Sequence, residues 1–89
     1  MAQRTPFADM PPAQQAGILC NDTRFRQFVG TRTIRSGVTV SPECAAEYLR
    51  RTCRINSRRE LNTSDGARAT FQALRTEFDA WTGKIAAQR

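Results

Sequence analysis

Arginine is concentrated around one short stretch of the chain, CRINSRREL at residues 53–61. This stretch contains Arg54, Arg58 and Arg59, and Arg50 precedes Arg54 by one turn of a helix. Guanidinium groups bind phosphates and carboxylates through forked hydrogen bonds and stack on bases, whereas ammonium groups do neither. The stretch therefore predicts a binding site for an anionic partner.

The same stretch has the pattern of a helix start, since Ser57 is followed three residues later by Glu60. The first turn of this helix carries Arg58 and Arg59, although a helix N-terminus holds a partial positive charge that disfavours cations. A bound anion would relieve this repulsion and would accept hydrogen bonds from the first backbone N–H groups. The alternative is that Glu60 and nearby acids neutralise a corner that is merely solvated.

The positive charge lies almost entirely in the middle of the chain. Residues 24–59 hold nine arginines and two glutamates, a net charge of +7, whereas the whole chain carries +6. A codon bias would explain 13 arginines against one lysine, but it would not explain this clustering. A basic segment of this kind predicts an anionic partner. The candidate interface comprises Arg24, Arg32, Arg35, Arg50, Arg54, Ser57, Arg58 and Arg59.

The absence of histidine excludes several kinds of chemistry. Ser-His-Asp and Cys-His catalysis are impossible, and the usual general base near neutral pH is missing. Cys20, Cys44 and Cys53 are odd in number and widely spaced, so we expect free, buried thiols and not disulfides or a zinc site. No two acids are recognisable as a general acid and base. We therefore expect no enzymatic activity, no metal and no cofactor.

Helical periodicity predicts an all-α fold, a small bundle of four main helices plus one short helix. Residues 1–10 are expected to form a flexible N-terminal arm, and residues 11–89 a single helical domain. The expected starts are Pro11–Pro12 for the first helix, Asp22 for the second, Ser41–Pro42 for the third, Ser57 for the short helix, and Ser64 or Asp65 for the last.

Apolar spacing also predicts the buried faces. In the last helix, apolar residues recur at alternating steps of four and three, and we call this row of residues the seam. Such a seam fits either the core contact of a bundle or a coiled-coil homodimer. Gly30 is expected to fray or bend the second helix. The expected core residues are Phe25, Phe28, Val29 and Ile34; Ala45, Tyr48, Leu49, Thr52 and Cys53; and the seam Ala67, Phe71, Leu74, Phe78, Trp81 and Ile85.

The third helix, a turn and the short helix suggest a helix-turn-helix-like corner, although the turn TCRINS lacks the usual glycine. Within the third helix, Glu47 can pair with Arg51 at i+4, which leaves Arg50 and Arg54 facing solvent. We expect this corner to hold backbone phosphates more than to read a base sequence.

Residues 41–82 resemble small uncharacterised helical proteins encoded by bacteriophages and prophages. The resemblance lies in a Ser-led helix with AEYLR, then Cys-x-Ile-x-Ser-Arg-x-Glu-Leu, then a last helix that ends in FDAW. It implies a phage accessory protein that acts on nucleic acid or blocks a host machine. Together with the arginine surface, it favours a protein that binds DNA or RNA. The alternative is an inhibitor of a host machine, such as an anti-defence or anti-CRISPR-type protein, that binds an acidic or nucleic-acid-binding host protein through the same surface.

No apolar run is long enough to cross a membrane, and the start MAQRTPFADMPP lacks the apolar region of a secretory signal. We therefore expect a cytoplasmic protein, located in the host cytoplasm if a phage encodes it.

Overall fold

The computed structural model of the protein describes residues 9–87, and these residues form an all-α structure. The predicted fold class, four main helices plus a short one, is confirmed, and no strand occurs within the described range. Most of the predicted N-terminal arm lies outside that range. The elements are α1 (Pro12–Asn21), α2 (Thr23–Thr33), α3 (Pro42–Cys53), a 3-10 helix (Arg58–Asn62) and α4 (Asp65–Ala87).

Three helices begin at the predicted capping residues. The side chain of Asp22 accepts a hydrogen bond from the backbone N–H of Arg24 at 2.7 Å. Ser41 caps α3 in the same way at 3.1 Å, and Ser64 caps α4 at 3.2 Å. Each bond satisfies a backbone donor that has no partner within its own helix, so the helix boundaries follow from local sequence.

The core lies where α4 crosses the other helices, and aromatic rings occupy its centre. Phe25 and Phe71 are completely buried, and Phe78 meets Phe25 edge-on with ring centroids 5.3 Å apart. The α4 seam is buried from Ala67 to Phe78 within one chain, so the core-contact alternative accounts for that part of it. Ile85, the last seam residue, is not among the described side chains.

Five expectations about burial are wrong. Ile34 is 62% exposed because α2 ends at Thr33 and the chain turns away from the core. Trp81 is only partly buried, since it packs against Phe28 at the edge of the aromatic cluster. Tyr48 and Thr52, which were expected in the core, are also only partly buried, and Cys44 is exposed on the outer side of α3. All three thiols are free, as expected, but Cys20 and Cys53 alone are buried.

Gly30 does not fray α2; it lets the following loop pack against the helix. A Cβ at Gly30 would lie 2.0 Å from the carbonyl oxygen of Val38, far inside any contact distance. Gly30 is itself buried, and α2 continues beyond it to Thr33. The expected bend is therefore wrong, and the glycine serves a close approach of two backbones.

We expect Phe71→Ala to lower the free energy of unfolding by about 3–5 kcal/mol, because it empties the centre of the core. Trp81→Ala should cost less, since that ring is partly in solvent already. Urea titrations of both variants measure the difference. Equal shifts of the two midpoints would contradict the assignment of Phe71 to the core centre.

We expect Gly30→Ala to destabilise the fold by about 1–3 kcal/mol or more, because the new methyl group meets backbone and not a flexible side chain. Gly66→Ala in α4 is the matched control, since nothing lies within 4 Å of its Cβ. This change should be neutral or stabilise by up to about 1 kcal/mol. Thermal melts of the two variants that shifted in the same direction would contradict this prediction.

Candidate anion-binding groove

A groove of about 740 Å³ lies between α1, α3 and the 3-10 helix, and we call it the arginine groove. Three arginines line it, Arg50 from α3 and Arg58 and Arg59 from the 3-10 helix, and Glu43 is the only carboxylate among its described lining residues. Its side chains therefore carry a net charge of +2. The other lining residues are small or polar: Ala13, Gln14, Cys20, Asn21, Pro42, Ala46, Asn56 and Ser57.

Helix α3 contributes one continuous stripe to the groove. Glu43, Ala46 and Arg50 follow one another at steps of three and four residues, so they share a face of the helix. At a rise of 1.5 Å per residue, Glu43 and Arg50 are separated by about 10 Å along the helix axis. Glu43 and Arg50 therefore lie at different ends of this stripe.

The turn after α3 returns the chain towards α1. The N–H of Ile55 donates to the carbonyl of Arg50 at 2.9 Å, and the N–H of Arg54 donates to that of Arg51 at 3.2 Å, which is the Schellman pattern of helix termination. Arg54 adopts a left-handed conformation with φ of 58°, the place where glycine is usual. The buried Ile55 side chain anchors the turn on the core.

A capping box fixes the start of the 3-10 helix. The carboxylate of Glu60 accepts hydrogen bonds from the backbone N–H groups of Asn56 and Ser57 at 2.8 and 3.0 Å. The hydroxyl of Ser57 accepts one from the N–H of Arg59 at 3.3 Å. The N–H groups of Asn56, Ser57 and Arg59 therefore already have acceptors within the chain, so an anion at this corner would depend mainly on the arginine side chains.

The guanidinium groups of the arginine groove have no carboxylate partner among the side chains that the structure describes. Among residues 9–83, the ion pairs are Arg32–Glu77, Arg68–Asp65 and the predicted pair Arg51–Glu47, whose N–O distance is 2.7 Å. No carboxylate oxygen in that range lies within 4 Å of a side-chain nitrogen of Arg50, Arg58 or Arg59. The Glu60 carboxylate thus accepts hydrogen bonds from the backbone and does not neutralise these arginine side chains.

Arg58 lies across α1, where a glycine leaves room for it. A Cβ built on Gly17 would lie 3.9 Å from Arg58 Cζ, and Arg58 is near enough to Cys20 for its positive charge to act on the thiol. Burial raises the pKa of the Cys20 thiol, whereas the charges of Arg58 and Arg50 act in the opposite direction. The contact holds Arg58 at the groove wall and places a neutral thiol beneath it.

The structure divides the predicted interface. Arg50, Ser57, Arg58 and Arg59 meet in the arginine groove, whereas Arg54 is exposed on the adjoining turn and does not line it. Arg24 and Arg35 are exposed on α2 and the loop after it, outside the lining. Arg32 belongs to a separate groove of about 300 Å³, where it stands over the Phe28 ring at 5.0 Å and pairs with Glu77.

Sequence reasoning missed the α1 wall of the groove. Helix α1 contains no basic residue, so its polar side chains Gln14 and Asn21 gave no charge signal. Their position depends on the packing of α1 against the 3-10 helix, where the N–H of Ala13 donates to Asn62 Oδ1 at 3.1 Å. A contact between residues so distant in sequence has no local pattern that could predict it.

The helix-turn-helix-like corner is present as α3, its turn and the 3-10 helix. The second element has only five residues, and at about 2 Å per residue it spans roughly 10 Å. Recognition helices present several base-reading side chains along one face in the major groove. This corner therefore lacks the element with which helix-turn-helix proteins read duplex DNA.

The chain was compared with known protein families, curated proteins and solved structures, and none of them matches it. The resemblance to phage proteins stays a prediction. None of the described helices has both the length and the apolar character needed to cross a membrane. Within the described residues, no three cysteine, aspartate or glutamate side chains are grouped as metal ligands would be.

We expect Arg54→Gly to raise the free energy of unfolding by about 0.5–1 kcal/mol, because glycine removes the left-handed strain at a modest cost in chain entropy. Arg51→Gly is the contrasting variant. It places glycine within α3 and should lower stability by about 1 kcal/mol. Chemical denaturation measures both. A loss of stability in Arg54→Gly would show that the arginine side chain itself supports the turn.

Proposed function

We propose that the protein binds nucleic acid, with the phosphate backbone held by Arg50, Arg58 and Arg59 in the arginine groove. The observation that carries this proposal is that three guanidinium groups share one concave site while no carboxylate of residues 9–83 lies within 4 Å of them. Like charges repel at short range, so an arrangement that keeps them together and unpaired favours an anionic ligand.

The shape of the site strengthens the attraction. A concave site lined by charge of one sign, with protein walls of low dielectric constant, focuses the electrostatic potential and concentrates counter-ions. Hydrogen bonds from guanidinium to phosphate are about twice as strong as neutral ones. Three such groups in one groove therefore favour a partner with several phosphates close together, which is what a nucleic acid backbone offers.

The lining of the arginine groove supports binding without catalysis. Cys20 is its one strong candidate nucleophile among the described residues, and burial raises the pKa of this thiol, so the reactive thiolate is disfavoured. Arginine does not act as a general base because it stays protonated. We therefore propose a non-enzymatic accessory protein, the role that the resemblance to phage proteins also implies.

The test compares two double variants that remove the same charge. Arg58→Gln with Arg59→Gln changes the groove, and Arg24→Gln with Arg35→Gln changes exposed arginines outside it. Fluorescence anisotropy with labelled DNA and RNA should show that the groove variant loses at least about tenfold in affinity. This is the smallest effect expected when a hydrogen bond from a charged group is lost. The slope of log K against log salt should become shallower by about 1.4–1.8 units for two contacts.

The control variant should lose less affinity, because its charges act only through the long-range field, which salt screens within about 10 Å. Both variants should fold as the wild type does, since their side chains are exposed and the capping bonds come from the backbone. Arg75 is an unsuitable control because it donates at 2.9 Å to the buried Gln15.

Equal losses in the two double variants would overturn the proposal that the groove is the binding site. If neither DNA nor RNA bound at physiological salt, the arginines would serve another anionic partner, such as an acidic protein.

A further inference from the structure

The arginine groove has two chemically different ends. Arg50 lies at one end of the stripe that α3 contributes, near Arg58, since both charges act on the Cys20 thiol, while Glu43 lies on the same stripe about 10 Å from Arg50 along the axis. Glu43 is exposed, and within residues 9–83 no arginine nitrogen lies within 4 Å of its carboxylate. It therefore presents a negative charge to whatever occupies that end.

A phosphate backbone alone does not complement this arrangement. An ionised carboxylate only accepts hydrogen bonds, and a phosphodiester has no N–H or O–H to donate. A DNA strand carries one phosphate per 3.4 Å of helix axis, so a backbone that followed α3 would place phosphates beside Glu43. The part of a nucleic acid that faces Glu43 must therefore be a donor, and the bases are the parts that carry N–H donors in every nucleic acid.

The remaining polar lining also suits a base edge. Gln14, Asn21 and Asn56 present carboxamides, which combine a donor with an acceptor in the way that base edges do. The side-chain amide of Asn21 donates a hydrogen bond to the carbonyl of Gly17 at 3.1 Å, and its side-chain oxygen can still accept one. No aromatic side chain is among the described lining residues, so hydrogen bonding and not ring stacking is available. The hydrogen-bonding edges of a base are most accessible where the base is unpaired.

We propose that the arginine groove binds an unpaired nucleotide of single-stranded nucleic acid, with its phosphate at the arginines and a base amino group at Glu43. The inference rests on the proposed function and adds a preference to it. An amino-bearing base such as cytosine donates to the carboxylate, whereas uracil presents a carbonyl oxygen at the equivalent ring position, which the carboxylate repels. Glu43 is thus a specificity-determining residue.

The experiment uses two short single-stranded RNAs of equal length, one of cytidine and one of uridine, because these bases differ along one edge only: cytosine has a 4-amino group beside an accepting N3, and uracil has a 4-carbonyl group beside an N3–H. Anisotropy should show the wild type binding the cytidine strand roughly tenfold more tightly or better, as expected for a hydrogen bond to a charged group. A matched duplex of the same length should bind more weakly than the cytidine strand.

Two variants with the same change in net charge locate the effect. Glu43→Gln should bring the ratio of the two affinities close to one, because an amide accepts from cytosine and donates to uracil equally well. Glu47→Gln, one turn further along α3 and paired with Arg51 outside the groove, should keep the wild-type ratio. Thermal melts establish that both variants are folded.

A wild-type ratio near one would overturn the inference, as would Glu43→Gln binding both strands more tightly by the same factor. In the second case Glu43 would act as a repulsive charge only. The proposed function fails separately: if loss of Arg58 and Arg59 leaves the binding of both strands unchanged, the groove is not the site at all. If that loss weakens both strands equally while the wild-type ratio is one, only the base preference fails.

Discussion

The arginine groove depends on the hydrogen bonds that the Glu60 carboxylate accepts from the backbone. This carboxylate binds the N–H groups of Asn56 and Ser57, at the point where the chain turns from α3 into the 3-10 helix. A five-residue helix has little stability of its own, so these two hydrogen bonds and the fully buried Leu61 side chain hold it in place. Because Glu60 is engaged with the backbone, it fixes the position of Arg58 and Arg59 without neutralising their side chains.

The corner around the groove combines features that lower stability. Arg54 occupies a left-handed conformation, three arginines share one groove, and the first turn of the 3-10 helix carries two of them. Such features cost on the order of 1 kcal/mol each, while a domain of this size has roughly 4–13 kcal/mol in total. The buried core, to which Ile55 and Leu61 of this corner belong, offsets that cost. Backbone strain beside unpaired charge is typical of sites whose side chains serve binding.

The parts of the fold that local interactions determine could be predicted from the sequence. The positions of the four helices in the sequence followed from the apolar periodicity and from the capping residues Asp22, Ser41 and Ser64. The position of the short helix followed from the spacing of Ser57 and Glu60. What depends on distant contacts could not be predicted. The pairing of Arg32 with Glu77 across 45 residues, the polar wall of α1 and the fit of Gly30 against Val38 all require the packed structure.

The arginines of the middle segment therefore divide into two physical roles. Those outside the groove, such as Arg24 and Arg35, are exposed and contribute to a field that speeds the approach of an anion and weakens as salt is added. Those inside it lie beside a turn and a capping box that fix the backbone, so under the proposed function their direct contacts would govern how slowly a partner leaves. The clustering in the sequence gives only the sum of these charges, whereas the fold determines which of them share one groove. An arginine count alone thus overstates the size of the contact surface and understates how specifically the groove is built.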